Sequence, residues 1–243
     1  MSFDGLPRGH YRAILADPPW AFQTWWSGRS NKLPSPKKKF SYPSRATIPA
    51  YEVMCEDEIN ALRVADLAAD DCVLFLWTCW PTLRASLRTI EAWGFEYKTC
   101  GFCWVKAHAG QLEMFQEDIE PHMTLGYWTR SNSEVCLLAT RGKPKRINAD
   151  VRQAIIAPRR EHSRKPDGIH ERIERLVAGP YLELFARQRR PGWDCWGNET
   201  DKFAPQVSRE TYDATDDFGK SIDEAYRVIR ERKANGGKGW EPP

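Results

Sequence analysis

Short apolar runs alternate with segments of helical periodicity over the first two hundred residues of this chain. The run Ala13–Ala16, inside a predicted strand that begins at Tyr11, and the run Cys72–Trp77 have the pattern of strands buried on both faces. Between later runs, Leu83, Leu87 and Ile90 keep helical spacing before Gly94, a typical helix stop. This alternation predicts an α/β fold, a mostly parallel sheet with helices on both faces.

The remaining elements follow from the same pattern. Further strands are predicted at Tyr97–Val105, Glu134–Thr140, Tyr181–Phe185 and Trp193–Trp196, and helices at Glu56–Val64 and from Pro166 onward. Residues 21–50 and 107–127 have no apolar period, which predicts two long loops of the kind that is usually functional in compact domains. Beyond Glu199 the pattern loosens, with one amphipathic segment at Ile222–Lys233. We expect one domain over residues 1–200 and a partly helical appendage over 201–243.

Composition narrows the class of protein. No apolar run is long enough to cross a bilayer, and the first residues lack the apolar stretch of a signal peptide. The seven cysteines are scattered and odd in number, which argues against a disulfide framework and favours the cytoplasm. Cys100 and Cys103 have half of a zinc-site spacing, but no second pair completes it. We therefore expect ordinary strand cysteines, no metal and no membrane partner.

Positive charge is concentrated in two stretches, although the net charge is only +3. Residues 28–45 carry six basic side chains and no acidic one, and residues 141–165 carry nine basic side chains against two acidic ones. Such stretches suit a polyanion, so we expect nucleic acid as the partner. The candidate backbone contacts are Lys37, Lys38, Lys39, Arg45, Lys143, Lys145 and Arg146. Trp25, beside the first stretch, is either a platform for stacking a base or an apolar plug.

The strongest chemical signal is the sequence Asp17-Pro18-Pro19-Trp20, directly after the first strand. The two prolines fix φ and remove backbone donors, which makes the loop rigid. It presents a carboxylate, carbonyl oxygens and an indole face at the carboxyl end of a strand, where open α/β sheets bind ligands. A planar group with an amine fits it: Asp17 and the Pro18 carbonyl accept the two N–H bonds, and Trp20 stacks on the ring.

A second group of candidates follows the later part of the sheet. With Pro166 in the first turn of a helix, Lys165 would stand at the positive end of the helix dipole, an arrangement that a bound carboxylate or phosphate would stabilise. The alternative, which the helix argument leaves equally open, is a lysine that turns away into solvent. Phe185 suits a purine, and Asn198 and Glu199 suit ribose hydroxyls. No G-x-G-x-x-G dinucleotide motif is present.

Eight segments in this order resemble the MT-A type family of adenine-N6 methyltransferases, in particular its bacterial and phage members. They are DPPW at 17–20, AYEVMCEDEI at 50–59, VLFLW at 73–77, EAWGFEYKT at 91–99, SEVCLLATRG at 133–142, EHSRKPD at 161–167, ELFAR at 183–187 and GWDCWGNE at 192–199. The resemblance implies a Rossmann-like methyltransferase fold with the permuted (class β) motif order. It also implies S-adenosylmethionine as cofactor and the exocyclic amine of adenine as acceptor.

The resemblance assigns roles to individual residues. It implies that Asp17 and Lys165 lie at the cofactor, with Lys165 on its methionine carboxylate. Phe185 and Arg187 would line the adenosine, and Asn198 and Glu199 would hold the ribose. Tyr51 and Glu134 would line the pocket of the target base, which Ser163 also faces.

Three functions remain compatible with the sequence. We expect methylation of a flipped-out adenine in DNA; the alternatives are the same chemistry on RNA and a non-catalytic subunit that binds nucleic acid. Intact Asp17, Trp20, Lys165 and Asn198 argue against the last. A homodimer is compatible with this picture. The preference for DNA rests on analogy with compact bacterial members.

Overall fold

The computed structural model describes residues 2–21, 53–107, 128–129, 131–159 and 164–203. All of them belong to the unit Met1–Pro205. The strands are β1 (Tyr11–Ala16), β2 (Ala68–Thr78), β3 (Glu96–Ala107), β4 (Ser133–Arg141), β5 (Ala154–Pro158), β6 (Tyr181–Leu184) and β7 (Trp193–Trp196). The α-helices are α1 (Glu56–Asn60), α2 (Leu83–Ala92) and α3 (Gly168–Leu176), and short 3-10 helices span Val64–Asp66 and Trp80–Thr82.

Within the described residues the strands form one sheet in the order β5-β3-β4-β2-β1-β6-β7. Four of its pairings are parallel, and the two that involve β4 are antiparallel. Six strands therefore run in one direction and β4 runs against them. The start of β4 consequently lies at the same edge as the carboxyl ends of β1, β2, β3 and β6. This carboxyl edge carries the site described below.

Alternate residues of the central strands belong to two apolar layers, one on each face of the sheet. On one face Ile14 and Leu76 pack with Ile59 of α1 and Ile90 of α2. On the other face Leu15 and Phe75 pack with Ile169 and Ile173 of α3, among others. Helices therefore cover both faces of the sheet, which confirms the predicted α/β class.

The structure corrects several predicted boundaries. The helix expected over Glu56–Val64 ends at Asn60. The strand expected at Cys72–Trp77 is longer, Ala68–Thr78. The pattern missed β5 altogether, because this five-residue strand at the edge of the sheet has no clear alternation and ends in a proline. Gly94 does follow α2, in the left-handed conformation (φ 77°) that glycine tolerates.

Candidate active site

Asp17 stands at the carboxyl end of β1, in the centre of the sheet. Its backbone N–H donates to the carbonyl of Leu184 at the end of β6. The Pro19 carbonyl accepts the N–H of Met54 at 2.9 Å, which ties the proline segment to the residues just before α1. The Pro18 carbonyl accepts the N–H of Trp20 at 2.8 Å. A carbonyl has two lone pairs, so Pro18 keeps one for a ligand.

Trp20 fixes this loop to the core. Its side chain is only 8% exposed, and its Nε1 donates to the carbonyl of Trp77 at 3.0 Å. The structure therefore gives Trp20 an anchoring role that the sequence did not predict. Its expected stacking on a substrate ring stays a prediction.

Lys165 is the immediate partner of Asp17. Its Nζ donates to both carboxylate oxygens, at 2.7 and 2.9 Å, and lies 3.3 Å from Oε2 of Glu134. The ammonium also lies 5.5 Å from the centre of the Trp77 ring. One buried cation thus holds two carboxylates from different strands, β1 and β4, at one point of the carboxyl edge.

Glu134 extends this group to β3, because it also accepts a hydrogen bond from Lys106. Four side chains of alternating sign therefore follow one another across the sheet edge: Asp17, Lys165, Glu134 and Lys106. Burial alone would raise the pKa of Glu134, but the two ammonium groups outweigh it and lower that pKa to about 2. Burial would lower the pKa of Lys165, and the two carboxylates instead raise it. Burial raises the pKa of Asp17 against the attraction of Lys165.

The helix after Lys165 begins later than predicted. Asp167 is its N-cap and Gly168 its first residue, so Pro166 precedes the helix and is not in its first turn. Lys165 accordingly lies two residues before the cap. Its partners are carboxylates of the protein itself, and this finding replaces the argument from the helix dipole.

A cleft that is open to solvent adjoins Asp17. It lies between the end of β6 and the segment before α3, and its walls include Asp17, Lys165, Phe185, Arg187 and His170. Trp77 lines it too, and the Trp77 indole N–H is buried without a hydrogen-bond partner among the described residues. A buried donor of this kind calls for an acceptor, which a ligand oxygen can supply.

The end of β6 adopts an uncommon backbone to form this wall. Phe185 has φ 62°, a left-handed conformation that is rare for a bulky side chain and is often found at functional sites. The chain beside it passes Gly197 at close range. A Cβ at Gly197 would lie 2.7 Å from the Ala186 carbonyl oxygen and 2.8 Å from its nitrogen, so only glycine fits.

Asn198 and Glu199 follow β7 at the same edge. Glu199 lies 3.3 Å from Arg187, which lines the cleft, and 2.7 Å from Lys202. Asn198 is exposed. The structure therefore brings Glu199 and Arg187 together, and it places Asn198 next to them in the chain.

Comparison with known proteins identifies the family. The model of the MT-A70 family matches residues 11–199. The chain belongs to the MT-A70 family. Its most similar relatives include the Type II methyltransferase M.MunI of a Mycoplasma species, which is 34% identical over 81% of this chain and 81% of its own length. This membership confirms the predicted enzyme class, an adenine methyltransferase.

Eukaryotic members of the MT-A70 family are much longer than this chain. The human N(6)-adenosine-methyltransferase catalytic subunit METTL3 is 29% identical over 79% of this chain, which covers only 29% of METTL3. The MT-A70-like protein of Drosophila melanogaster is 30% identical, and 27% of it is covered. The shared part is therefore the methyltransferase domain described above.

Several residues of the cleft were not predicted from the sequence, among them Trp77, Arg164 and Phe203. The Arg164 guanidinium lies over the Phe203 ring, 4.7 Å from its centre, and the Phe203 backbone N–H donates to the Arg187 carbonyl at 3.2 Å. Phe203 comes after the last residue of the MT-A70 match, so no family motif points to it. Phe203 reaches the cleft because the chain after β7 folds back to Arg187.

Several predicted site residues lie outside the described residues. They are Trp25, Lys37, Lys38, Lys39, Arg45, Tyr51 and Ser163. Their predicted roles at the base or at the nucleic-acid backbone stay predictions. Of the predicted base pocket, the structure describes Glu134, which contacts Lys165.

Lys143, Lys145 and Arg146 are not brought to the cleft. They follow β4, and because β4 runs antiparallel, its end pairs with the start of β2: Arg141 faces Cys72. The backbone N–H of Lys143 donates to Asp71, and Arg146 bridges to Val177, before β6 begins. The three residues thus lie at the edge opposite Asp17. Their predicted contacts with the nucleic-acid backbone stay predictions, and such contacts would be made at the edge opposite Asp17.

Two other expectations concern metal ions and membranes. Within the described ranges, no cluster of three or more His, Cys, Asp or Glu side chains is arranged to hold a metal ion. Cys100 and Cys103 are free thiols on β3. No helix in the described part of the chain is long and apolar enough to cross a membrane.

Proposed function

We propose that this protein transfers the methyl group of S-adenosylmethionine to the N6 amine of a flipped-out adenine in DNA. The observation that carries the proposal is the carboxylate of Asp17, held by Lys165 on a proline-fixed loop beside the cleft. Support for DNA comes from the similarity over 81% of both lengths to a Type II methyltransferase. Similarity to N(6)-adenosine-methyltransferases makes RNA the second candidate.

The cleft suits the methyl donor in charge and shape. Arg187 and Glu199 offer a donor and an acceptor for ribose or base, and Phe185 and Phe203 supply aromatic surface for a purine. Lys165 has three N–H donors, so it can meet the donor's carboxylate once it releases one oxygen of Asp17 or Glu134. The bound donor supplies an electrophilic methyl group on a sulfonium.

Asp17 acts on the acceptor by position. The lone pair of the N6 amine is delocalised into the ring, which makes the amine a poor nucleophile. Hydrogen bonds from its two N–H groups to the Asp17 carboxylate and the Pro18 carbonyl favour a pyramidal nitrogen that can attack in line. The N–C bond forms as the S–C bond breaks, leaving a neutral thioether, and the surplus N6 proton passes to solvent. No strong base is required before transfer.

A reducing compartment suits the protein, because all seven cysteines are free thiols. We place its activity in the cytoplasm, where nucleic acid and methyl donor are both available.

The proposal is tested by a transfer assay with a labelled methyl donor. Duplex DNA, single-stranded DNA and RNA are compared, and each product is digested to nucleosides. We expect label in N6-methyl-2′-deoxyadenosine, and at least about 100-fold less with Asp17→Asn, which keeps the shape but loses the charged acceptor. Label only in RNA would move the target to RNA. No labelled adenine from any polymer would refute the function.

A further inference from the structure

An exposed tryptophan stands at the carboxyl edge of β2. Trp80 is 52% exposed, whereas Trp20, Trp77, Trp93, Trp104 and Trp193 are all buried. A single exposed apolar side chain is ordinary on a protein surface, so the meaning of Trp80 depends on its surroundings. Nothing proposed above for the transfer reaction uses Trp80.

The backbone that carries Trp80 is firmly held. A buried hydroxyl group of Thr78 lies 2.9 Å from that of Thr82 and 2.6 Å from that of Ser86. Trp80 itself starts the 3-10 helix that Pro81 stiffens. Its Nε1 donates to Ser133 Oγ at 3.3 Å. The indole is thus bound at its polar edge, and the exposed part is apolar ring.

The position of Trp80 joins it to the target-base site. Thr78 pairs with Val135 in the antiparallel ladder, so the next residues outward, Cys79 and Glu134, are neighbours. Electrostatics agrees: burial raises the pKa of the Cys79 thiol, and the charges of Glu134 and Lys165 act on it as well. Trp80 therefore stands at the rim, beside Glu134 and the Lys165–Asp17 pair. It does not line the cleft.

We propose that Trp80 stacks on a nucleobase next to the target adenine, and holds the strand while that adenine enters the site. This inference rests on the proposed function. Trp20 is the ring predicted to stack on the target adenine, so the base on Trp80 is a neighbouring one. A nucleobase offers a planar π face that every sequence shares. Trp80 is accordingly a binding residue, and its substitution should affect affinity for the polymer more than the methyl-transfer step.

The test begins with the wild-type protein, which locates the methylated adenine in a mixed DNA sample. Oligonucleotides around that adenine are then used to measure affinity by fluorescence anisotropy, and KM and kcat by methyl transfer. Trp80→Ala should weaken binding and raise KM by about 5- to 100-fold, with kcat within about 3-fold. Trp80→Phe, which keeps a stacking ring, should recover most of the affinity.

A matched control is Tyr97→Ala. Tyr97 is 44% exposed and pairs with Ala139, at the opposite edge of the sheet. Its loss should change affinity by less than about 2-fold. Calorimetry with S-adenosylhomocysteine should give the same affinity for all variants, which excludes misfolding as the cause of any loss.

Oligonucleotides with an abasic site beside the target adenine identify the stacked base. Removal of that base should weaken binding of the wild type and leave Trp80→Ala unchanged. Equal affinity of the wild type and Trp80→Ala would overturn the inference while methylation stands. If no polymer is methylated, the proposed function fails, and the affinity comparison of Trp80→Ala with Tyr97→Ala on single-stranded DNA and RNA still decides whether Trp80 binds bases.

Discussion

At the scale of single residues, the site depends on one ammonium between two carboxylates. Lys165 is only 16% exposed and contacts both Asp17 and Glu134. Its removal leaves two partly buried negative charges facing each other. We expect Lys165→Met to lower the free energy of unfolding by about 3 kcal/mol at pH 7. Urea denaturation measures this change.

The control for this substitution is Lys98→Met. Lys98 also pairs with a carboxylate, that of Glu96, but the two side chains are 41% and 77% exposed. Such a pair contributes less than about 1 kcal/mol. Equal destabilisation by the two substitutions would contradict the special role of Lys165.

Glu134 gives a prediction for the way in which the stability of the protein depends on pH. Its pKa is about 2, below the ordinary value of 4.5, so its charged form stabilises the folded state above pH 4.5. This contribution is lost as the pH falls from 4.5 to 2. Glu134→Gln removes it, so we expect the stability of the variant to fall less steeply over that range. Denaturation curves at pH 7, 5, 4 and 3 test the difference.

The wild type and Glu134→Gln must be compared because Asp17 changes the stability with pH in the direction opposite to that of Glu134. Burial raises its pKa, so protonation of Asp17 favours the folded state as the pH falls. Asp17 is present in both proteins, and the Glu134 charge is only a minor cause of its raised pKa, so most of the Asp17 contribution cancels. Parallel stability curves for the wild type and Glu134→Gln would mean that Lys165 and Lys106 do not act on Glu134 as described.

At the scale of elements, the cleft depends on the close approach of the ends of β6 and β7. The Ala186 N–H donates to the Trp196 carbonyl at 3.0 Å, and Gly197 follows without room for a side chain. We expect Gly197→Ala to cost about 1–3 kcal/mol of stability and to weaken binding of S-adenosylhomocysteine at least about 10-fold. Calorimetry and denaturation give the two values.

Gly101→Ala separates the loss of stability from the loss of S-adenosylhomocysteine binding. Gly101 lies on β3, where a Cβ would meet Leu138 Cβ at 3.1 Å, so this substitution also crowds the core. It lies away from the cleft wall, and we expect a loss of stability with unchanged binding. If both variants lose binding equally, the approach of β7 to β6 does not shape the cleft.

The elements also show what the sequence predicts well. An apolar run located β1 at its observed bounds, because strands buried on both faces need continuous apolar residues. The bounds of β7 were also predicted, although it is an edge strand in which Asp194 is exposed. The Asp17 loop was recognised because two prolines and a carboxylate directly after such a strand form a rigid turn at the edge where ligands bind. The contact of Asp17 with Lys165 joins residues 148 positions apart, and local pattern carries no signal for it.

Other features depend on topology that a sequence pattern does not contain. The direction of β4 decides that Glu134 faces Lys165, and also that Lys143 lies at the far edge. A run of alternating residues has the same pattern in either direction. The left-handed Phe185 was equally hidden, since bulky residues give no local indication of positive φ.

At the scale of the whole molecule, the two basic stretches differ in their relation to the Asp17 loop. Lys37, Lys38 and Lys39 follow that loop in the chain, whereas Lys143, Lys145 and Arg146 lie at the edge opposite Asp17. Each set carries three positive charges. Exchange of either set for alanine changes the net charge equally, so each set is a matched control for the other.

We expect the sets to differ in the salt dependence of binding. Each phosphate contact contributes a slope of about −0.9 to log K against log[salt] for duplex DNA, because bound counterions are released. If Lys37, Lys38 and Lys39 contact three phosphates, their replacement by alanine should reduce the slope by about 2.7. Replacement of Lys143, Lys145 and Arg146 should leave the slope nearly unchanged, since we propose that the target base reaches the protein at the carboxyl edge. Titrations between 50 and 200 mM salt, roughly the range in which such contacts dominate, measure both slopes. The reverse result would place the polymer across the opposite edge and contradict the position of the target base at Asp17.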